Sequence, residues 1–267
     1  MFFILQNPCD KKEMTLDQTI LRELLQGSHA DYMEAFLDDI KSKSMKNVFM
    51  RTYPDIKDGI PLGSVEFVNE FLKQYRGIEK MNPIEIPVCL RTNEFLKRLY
   101  MIVPGSEVPK YGNWFIKDAT HLKHFNHIGD PSELRKSGLI NHEGLYVVSE
   151  VKPVKAEYRV YVVDGKIYAV SYYNGDPMVQ PDMLLINKAN HIYSLENDYP
   201  RSYTMDVMVN DEGTSIIEIH VMFACGLYTT VLGYDFLQAY KDAMRYTLQH
   251  NTPVVESKAS IVASINN

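Results

Sequence analysis

Three cysteines and one tryptophan are all that 267 residues hold of those two types, and no stretch of the chain is both long and apolar. Each scarcity excludes something. Cys9, Cys89 and Cys225 lack the spacing of a disulfide framework or a structural zinc site, so they read as buried thiols in a reducing compartment. Without about 20 consecutive apolar residues, no membrane-spanning helix is expected. Basic residues are too few for a general nucleic-acid surface: 28 Lys and Arg stand against 34 Asp and Glu, a net charge of -6. A local basic cleft for a small anion is compatible with that total. The opening MFFILQNPCDKK has no basic lead and no small-residue cleavage site, and reads as a first core strand rather than a signal peptide. What is present is an ordinary globular composition, 45% hydrophobic and 23% charged. The chain is long enough for one large α/β domain or two to three packed lobes.

The first part alternates strand and helix. Residues 1–6 read as a buried strand and 15–25 as a helix opening at Thr15 or Asp17. A second helix is expected over 32–41, where Met33, Phe36, Leu37 and Ile40 recur at helical spacing, and a strand over 48–51. Gly63-Ser64 then breaks the chain, and Val65, Phe67, Val68, Phe71 and Leu72 form the apolar stripe of a helix capped by Ser64. Such alternation favours a small parallel α/β lobe ending near residues 81–87.

A short helix is expected over 92–99, followed by a connection marked by Pro104-Gly105 and Pro109. Residues 114–116 read as a short strand that presents Lys117 at its end, with Lys123 in the polar segment beyond. Two lysines in such a segment are also compatible with simple solvation. From 146 to 173 the chain is rich in β-branched and aromatic residues, and Asp164-Gly165 stands where a tight hairpin turn needs left-handed backbone. Alternation puts Glu157 and Arg159 on one strand face, able to hold a polyol and a phosphate in turn. A surface ion pair would look the same. Residues 174–200 read as a loop region with one short helix near 183–189. A second hairpin is expected over 204–221, with Asp206 on one strand and Glu218 and His220 projecting together from the other. Two carboxylates and a third donor on adjacent strands can hold a divalent cation. A helix over 236–248 closes the chain before a tail, 253–267, read as mobile.

Taken together, the strand ending in Lys117, the segment Ser149-Glu150-Val151, the hairpin Glu157-Tyr158-Arg159 and the block Asp206 with Glu218-Ile219-His220 resemble the ATP-grasp superfamily from about residue 110 to 245. The separation of Glu150 and Glu157 is similar to the hinge-to-ribose spacing of D-alanine ligases. EYRVYVVDGKIYAV is similar to the matching hairpin of the ribosomal-protein glutamate ligases. Lys117, Lys123 and Arg159 resemble the clade of amide ligases named for one arginine and two lysines, found largely in bacteria and their phages, and IPLGSVEFVNEFL is similar to its N-terminal lobe. One departure is that the family usually has Glu-x-Asn where this chain has Glu218-Ile219-His220.

The resemblance implies an α/β (α+β) fold: an N-terminal lobe over 1–105, then two sheet-containing lobes over 106–250 that enclose ATP, then the tail 251–267. It implies a carboxylate–amine ligase working through an acyl phosphate in the cytoplasm of a bacterium or phage-infected host, on small carboxylates and amines such as amino acids or a peptide. Lys117 would meet the α- and β-phosphates with Lys123 beside it. Arg159 would face the transferring phosphoryl group, Glu150 and Val151 the adenine edge, and Glu157 the ribose. Asp206, Glu218 and His220 would hold Mg²⁺, the softer imidazole leaving Mn²⁺ an alternative, and residues 117–129 would close over the phosphates. A non-catalytic nucleotide-binding relative and a small-molecule kinase are the alternative readings.

Overall fold

The computed structural model describes residues 2–8, 14–122, 124–228 and 232–251. Its first unit is a parallel sheet between helices. β1 (Phe2–Gln6) leads to α1 (Leu16–Gly27), where Thr15 Oγ1 accepts the Gln18 amide and the Thr15 amide donates back to Gln18 Oε1. β2 (Asp31–Ala35), α2 (Leu37–Lys41), α3 (Lys43–Thr52), β3 (Ile60–Leu62) and α4 (Val65–Arg76) follow, with strand order β2-β1-β3. Ser64 caps α4, the left-handed Gly77 ends it, and Phe67, Val68, Phe71, Leu72 and Tyr75 are its buried face.

Several local expectations are corrected here. The helix expected over 32–41 is β2 followed by α2. Met33 and Ala35 are buried on alternate positions, so pairing with β1 overrides the helical spacing of Met33, Phe36 and Leu37. The strand expected over 48–51 lies inside α3, capped by Ser42, because an apolar run as short as Val48-Phe49-Met50 fits either state and here only Phe49 is buried. The helix expected over 92–99 stops at Leu96. Lys97 turns left-handed with φ of 49°, and Leu99 O accepts from the Glu150 amide at 2.9 Å, which leads the chain into a strand.

That strand belongs to a second, antiparallel sheet. After α5 (Asn93–Leu96) come β4 (Tyr100–Pro104), β5 (Trp114–Asp118), β6 (Asn126–Gly129), α6 (Ser132–Lys136) and β7 (Leu145–Glu150), with order β4-β7-β5-β6. The sheet thus takes β4 from before the boundary read at residue 105. The stretch 117–129, expected to be a flexible cover, contains β6, which pairs with β5 from Trp114↔Gly129 to Lys117↔Asn126. Lys123, Cys9 and the tail 253–267 lie outside the described residues.

The third sheet, order β11-β10-β8-β9, is antiparallel: β8 (Ala156–Val163), β9 (Lys166–Gly175), then after α7 (Met183–Tyr193) β10 (Tyr203–Asn210) and β11 (Gly213–Val221). Asp164 and Gly165 make the β8–β9 turn with φ of 48° and 79°, the doubly left-handed geometry that this pair suits. α8 (Leu237–His250) packs Leu237, Tyr240 and Met244 into one core shared by Phe3 and Leu5 of β1 and by Val160 and Val162 of β8. The second sheet has a core of its own, built from Ile116, Tyr146 and Val148 against Val108, Leu134 and Ile140. Among the described residues, no helix is long and apolar enough to cross a membrane.

Candidate functional site

Strand alternation decides which side chains meet between the second and third sheets. On β5 and β7, Ile116, Tyr146 and Val148 point into the sheet's own core, which turns Phe115, Lys117, Val147 and Ser149 toward the third sheet. On β8, Tyr158 and Val160 enter the common core, leaving Glu157 and Arg159 on the opposite face. β11 breaks its alternation at one point. Asp206 pairs with Glu218 but Val207 with Ile216, so Ile217 is an extra residue, and Ile217 and Glu218 both reach the cleft. A second bulge, on β9, leaves Tyr173 as the extra residue between Asn174↔Glu157 and Tyr172↔Tyr158.

The cleft has two connected parts that share Phe115, Lys117, Ile217 and Glu218. One is a narrow pocket of about 180 Å³ walled by Tyr100, Phe115, Ile128, Val147, Met208 and Ile217, with Glu150, Val151 and Glu157 at its rim. The other is a polar cavity of about 620 Å³ lined by Glu85, Lys117, Arg159, Glu218, His220 and Tyr228.

Charges in the polar cavity are organised as two linked sets. Arg159 donates from Nε to Asp206 Oδ1 at 2.8 Å, from Nη2 to Oδ2 at 2.7 Å, and from Nη1 to Gly226 O at 2.9 Å. Its guanidinium lies 4.8 Å from the Tyr228 ring centre and 5.7 Å from that of Tyr173, and those rings stack on each other. Burial pulls the Arg159 pKa down, and the Asp206 carboxylate outweighs it and lifts the value above the ordinary one. In the second set Lys117 Nζ is 3.5 Å from Glu218 Oε2 and 3.3 Å from Glu85 Oε1, the latter an ion pair whose angle does not make a hydrogen bond. Glu218 Oε1 meets His220 Nε2 at 2.8 Å. Burial pushes the Glu218 carboxyl up, but the hydrogen bond and charge of His220, with the Lys117 ammonium, outweigh it and hold the pKa at about 2.

Donor atoms of Asp206, Glu218 and His220, one from each, all lie within 4.8 Å of one another, so these residues fit a divalent cation. Asp206 oxygens each accept one N–H from Arg159, and a carboxylate offers about four acceptor sites in all, so lone pairs remain for a metal. Of the residues singled out in the sequence, Lys117, Arg159, Glu218 and His220 meet at the polar cavity, while Glu150, Val151 and Glu157 line the narrow pocket with Lys117. Asp206 is buried beneath Arg159 rather than lining the cavity. The Glu150 amide is occupied by Leu99 O. Lys123 is outside the described residues.

Sequence reasoning missed Glu85, Tyr228 and Arg98. Arg98 ties the two sheets together, donating to Ser149 Oγ on β7 and to the carbonyls of Ile216 and Ile217 on β11. No local pattern marks a side chain whose partners are backbone carbonyls more than a hundred residues away.

A family model described as an ATP-grasp domain, family 2 of the clade named for one arginine and two lysines, matches residues 95–236, more than half of the chain. Among solved structures, D-alanine–D-alanine ligase from Bacillus anthracis is similar at 12% identity and a TM-score of 0.49, over 93% of this chain and 96% of that one. The macrocyclase MdnC bound with precursor peptide MdnA, from Microcystis aeruginosa MRC, is similar at 12% identity and a TM-score of 0.44, over 94% of this chain and 99% of that one. No curated protein matches.

Proposed function

The chain belongs to the ATP-grasp domains of the clade named for one arginine and two lysines, and from that membership we propose that it is an ATP-dependent carboxylate–amine ligase that forms an amide or peptide bond through an acyl phosphate. The observation that carries this reading is the cleft between the two antiparallel sheets, apolar at one end and lined by Lys117, Arg159 and Glu218 at the other. That is the polarity of a nucleoside triphosphate.

Adenine would lie between Tyr100 and Phe115 on one side and Met208 and Ile217 on the other, with backbone groups of Glu150 and Val151 at its edge and Glu157 on the ribose. Lys117 would leave Glu218 and Glu85 for the α- and β-phosphates, with Lys123 as a second cationic contact. Asp206, Glu218 and His220 would hold Mg²⁺ or Mn²⁺, which supplies charge neutralisation on the phosphates. A carboxylate oxygen of the first substrate attacks the γ-phosphorus, the bridging P–O bond breaks and ADP leaves. The amine nitrogen then attacks the acyl carbon, phosphate leaves with the C–O electron pair, and the nitrogen gives up a proton. Arg159 would stabilise the negative charge that moves in both steps. A further cavity of about 440 Å³ adjoins at Gly226 and Tyr228 and runs to the starts of α1 and α4, offering an entry for the carboxylate substrate.

A non-catalytic nucleotide-binding role is favoured by one observation: Arg159 already spends three of its five N–H donors on Asp206 and Gly226 O. An ADP-release screen over amino acids and short peptides, with mass spectrometry of the products, separates the readings. ADP matched by an amide supports the ligase. ADP matched by a phosphorylated product makes the protein a kinase, and nucleotide recovered unchanged across the screen makes it a binding relative.

A further inference from the structure

β5 ends in a second group of metal-type donors that the ligase reading does not use. Asp118 is its last residue, and His121 and His124 follow at three-residue intervals. Asp118 Oδ1 accepts from the Thr120 amide and the Thr120 hydroxyl, both at 2.7 Å. That turn fixes the carboxylate and leaves Oδ2 to face both imidazoles, at 3.0 Å from His121 Nδ1 and 2.8 Å from His124 Nδ1. One donor atom from each residue lies within 4.8 Å of the other two. The His124 ring also packs edge-on against Phe125, with ring centres 5.5 Å apart.

We propose that Asp118, His121 and His124 form a transition-metal site on the rim of the polar cavity, separate from Asp206, Glu218 and His220. A tetrahedral ion with bonds of about 2.0–2.2 Å sets its donors roughly 3.3–3.6 Å apart, so the two carboxylate–imidazole contacts need to open by only about half an ångström. Two imidazoles and one carboxylate favour a borderline ion such as Zn²⁺ or Co²⁺ over Mg²⁺. Three protein ligands leave at least one coordination position free. All three residues line the 620 Å³ cavity, so that position is open to a carboxylate, phosphate or water oxygen there. The carboxylate is 10% exposed and the two rings about half exposed, which gives an ion a direct path from solvent.

The test uses the tag-free full chain, stripped with EDTA, in the absence of nucleotide, so its outcome does not depend on the ligase reading. Co²⁺ is titrated by visible absorption and then displaced with Zn²⁺. The expected result is a band that saturates at one equivalent, persists in His220→Ala, and shows affinity weakened by at least ~10-fold in the doubly substituted His121→Ala/His124→Ala chain. Both rings are in an exposed turn, and a circular-dichroism melt verifies that the double variant folds. The proposal is overturned if no band grows in, or if the band survives in the double variant and disappears in His220→Ala, which would assign the ion to the other cluster.

Discussion

Arg159 grips Asp206 through two parallel hydrogen bonds across the β8–β10 ladder, where the two residues stand directly opposite each other. Both are almost completely buried. A pair of this kind contributes little net stability while intact, yet breaking it strands a charge in a low-dielectric interior. Arg159→Met is therefore expected to destabilise the fold by roughly 3–5 kcal/mol, whereas adding Asp206→Leu to it recovers most of the loss. Urea denaturation of the two variants checks this. A single variant that unfolds at the wild-type midpoint would contradict the burial of the pair.

Lys117 and Arg159 are expected to act at different stages. Lys117→Met removes one charge-assisted contact to the phosphates and weakens Mg-ATP binding by roughly 10- to 100-fold, read by calorimetry. Arg159→Lys keeps a charge but loses the planar fork, so binding changes little while kcat falls by about 10²–10³. Parallel losses in Kd and kcat for both variants would refute the division of roles.

Arg98 joins two bodies that otherwise have separate cores, since its guanidinium spans Ser149 on β7 and two carbonyls of β11. Arg98→Ala leaves those carbonyls without their donor and is expected to cost roughly 2–4 kcal/mol. Amide exchange should then quicken in β7 and β11 while β1 keeps its protection. Uniform acceleration across the chain would mean that Arg98 supports global stability and not the junction.

Cys89 and Cys225 are free thiols, and burial above all pushes both up to about 11. Their thiolates are therefore rare at neutral pH, and alkylation of either, located by peptide mass spectrometry, should be slow at pH 8 and rise steadily toward pH 11. A thiol raised from 9.0 in the unfolded chain favours folding fully below pH 9, and that contribution is lost as pH climbs from 9 to about 11. Denaturation midpoints that stay level across this window would exclude the burial effect.

Short-range physics was legible in the residues alone. The helix start read at Thr15 or Asp17 falls at Thr15, and the Ser64 cap and the Asp164-Gly165 turn form as read; each depends on neighbours within four positions. Period-two alternation likewise put Glu157 with Arg159 and Glu218 with His220, because a strand turns successive side chains to opposite faces whatever it pairs with. Pairing itself was decided only in three dimensions. Met33 is in a strand because β1 lies beside it, and Asn126–Gly129 is a strand because β5 does. The bulges that insert Ile217 into the cleft and Tyr173 beside Arg159 arise from register between distant strands, and the carbonyls that hold Arg98 carry no side-chain signature at all. Local hydrogen bonds and periodicity are properties of the chain, whereas register and cross-sheet contacts exist only once the sheets have packed.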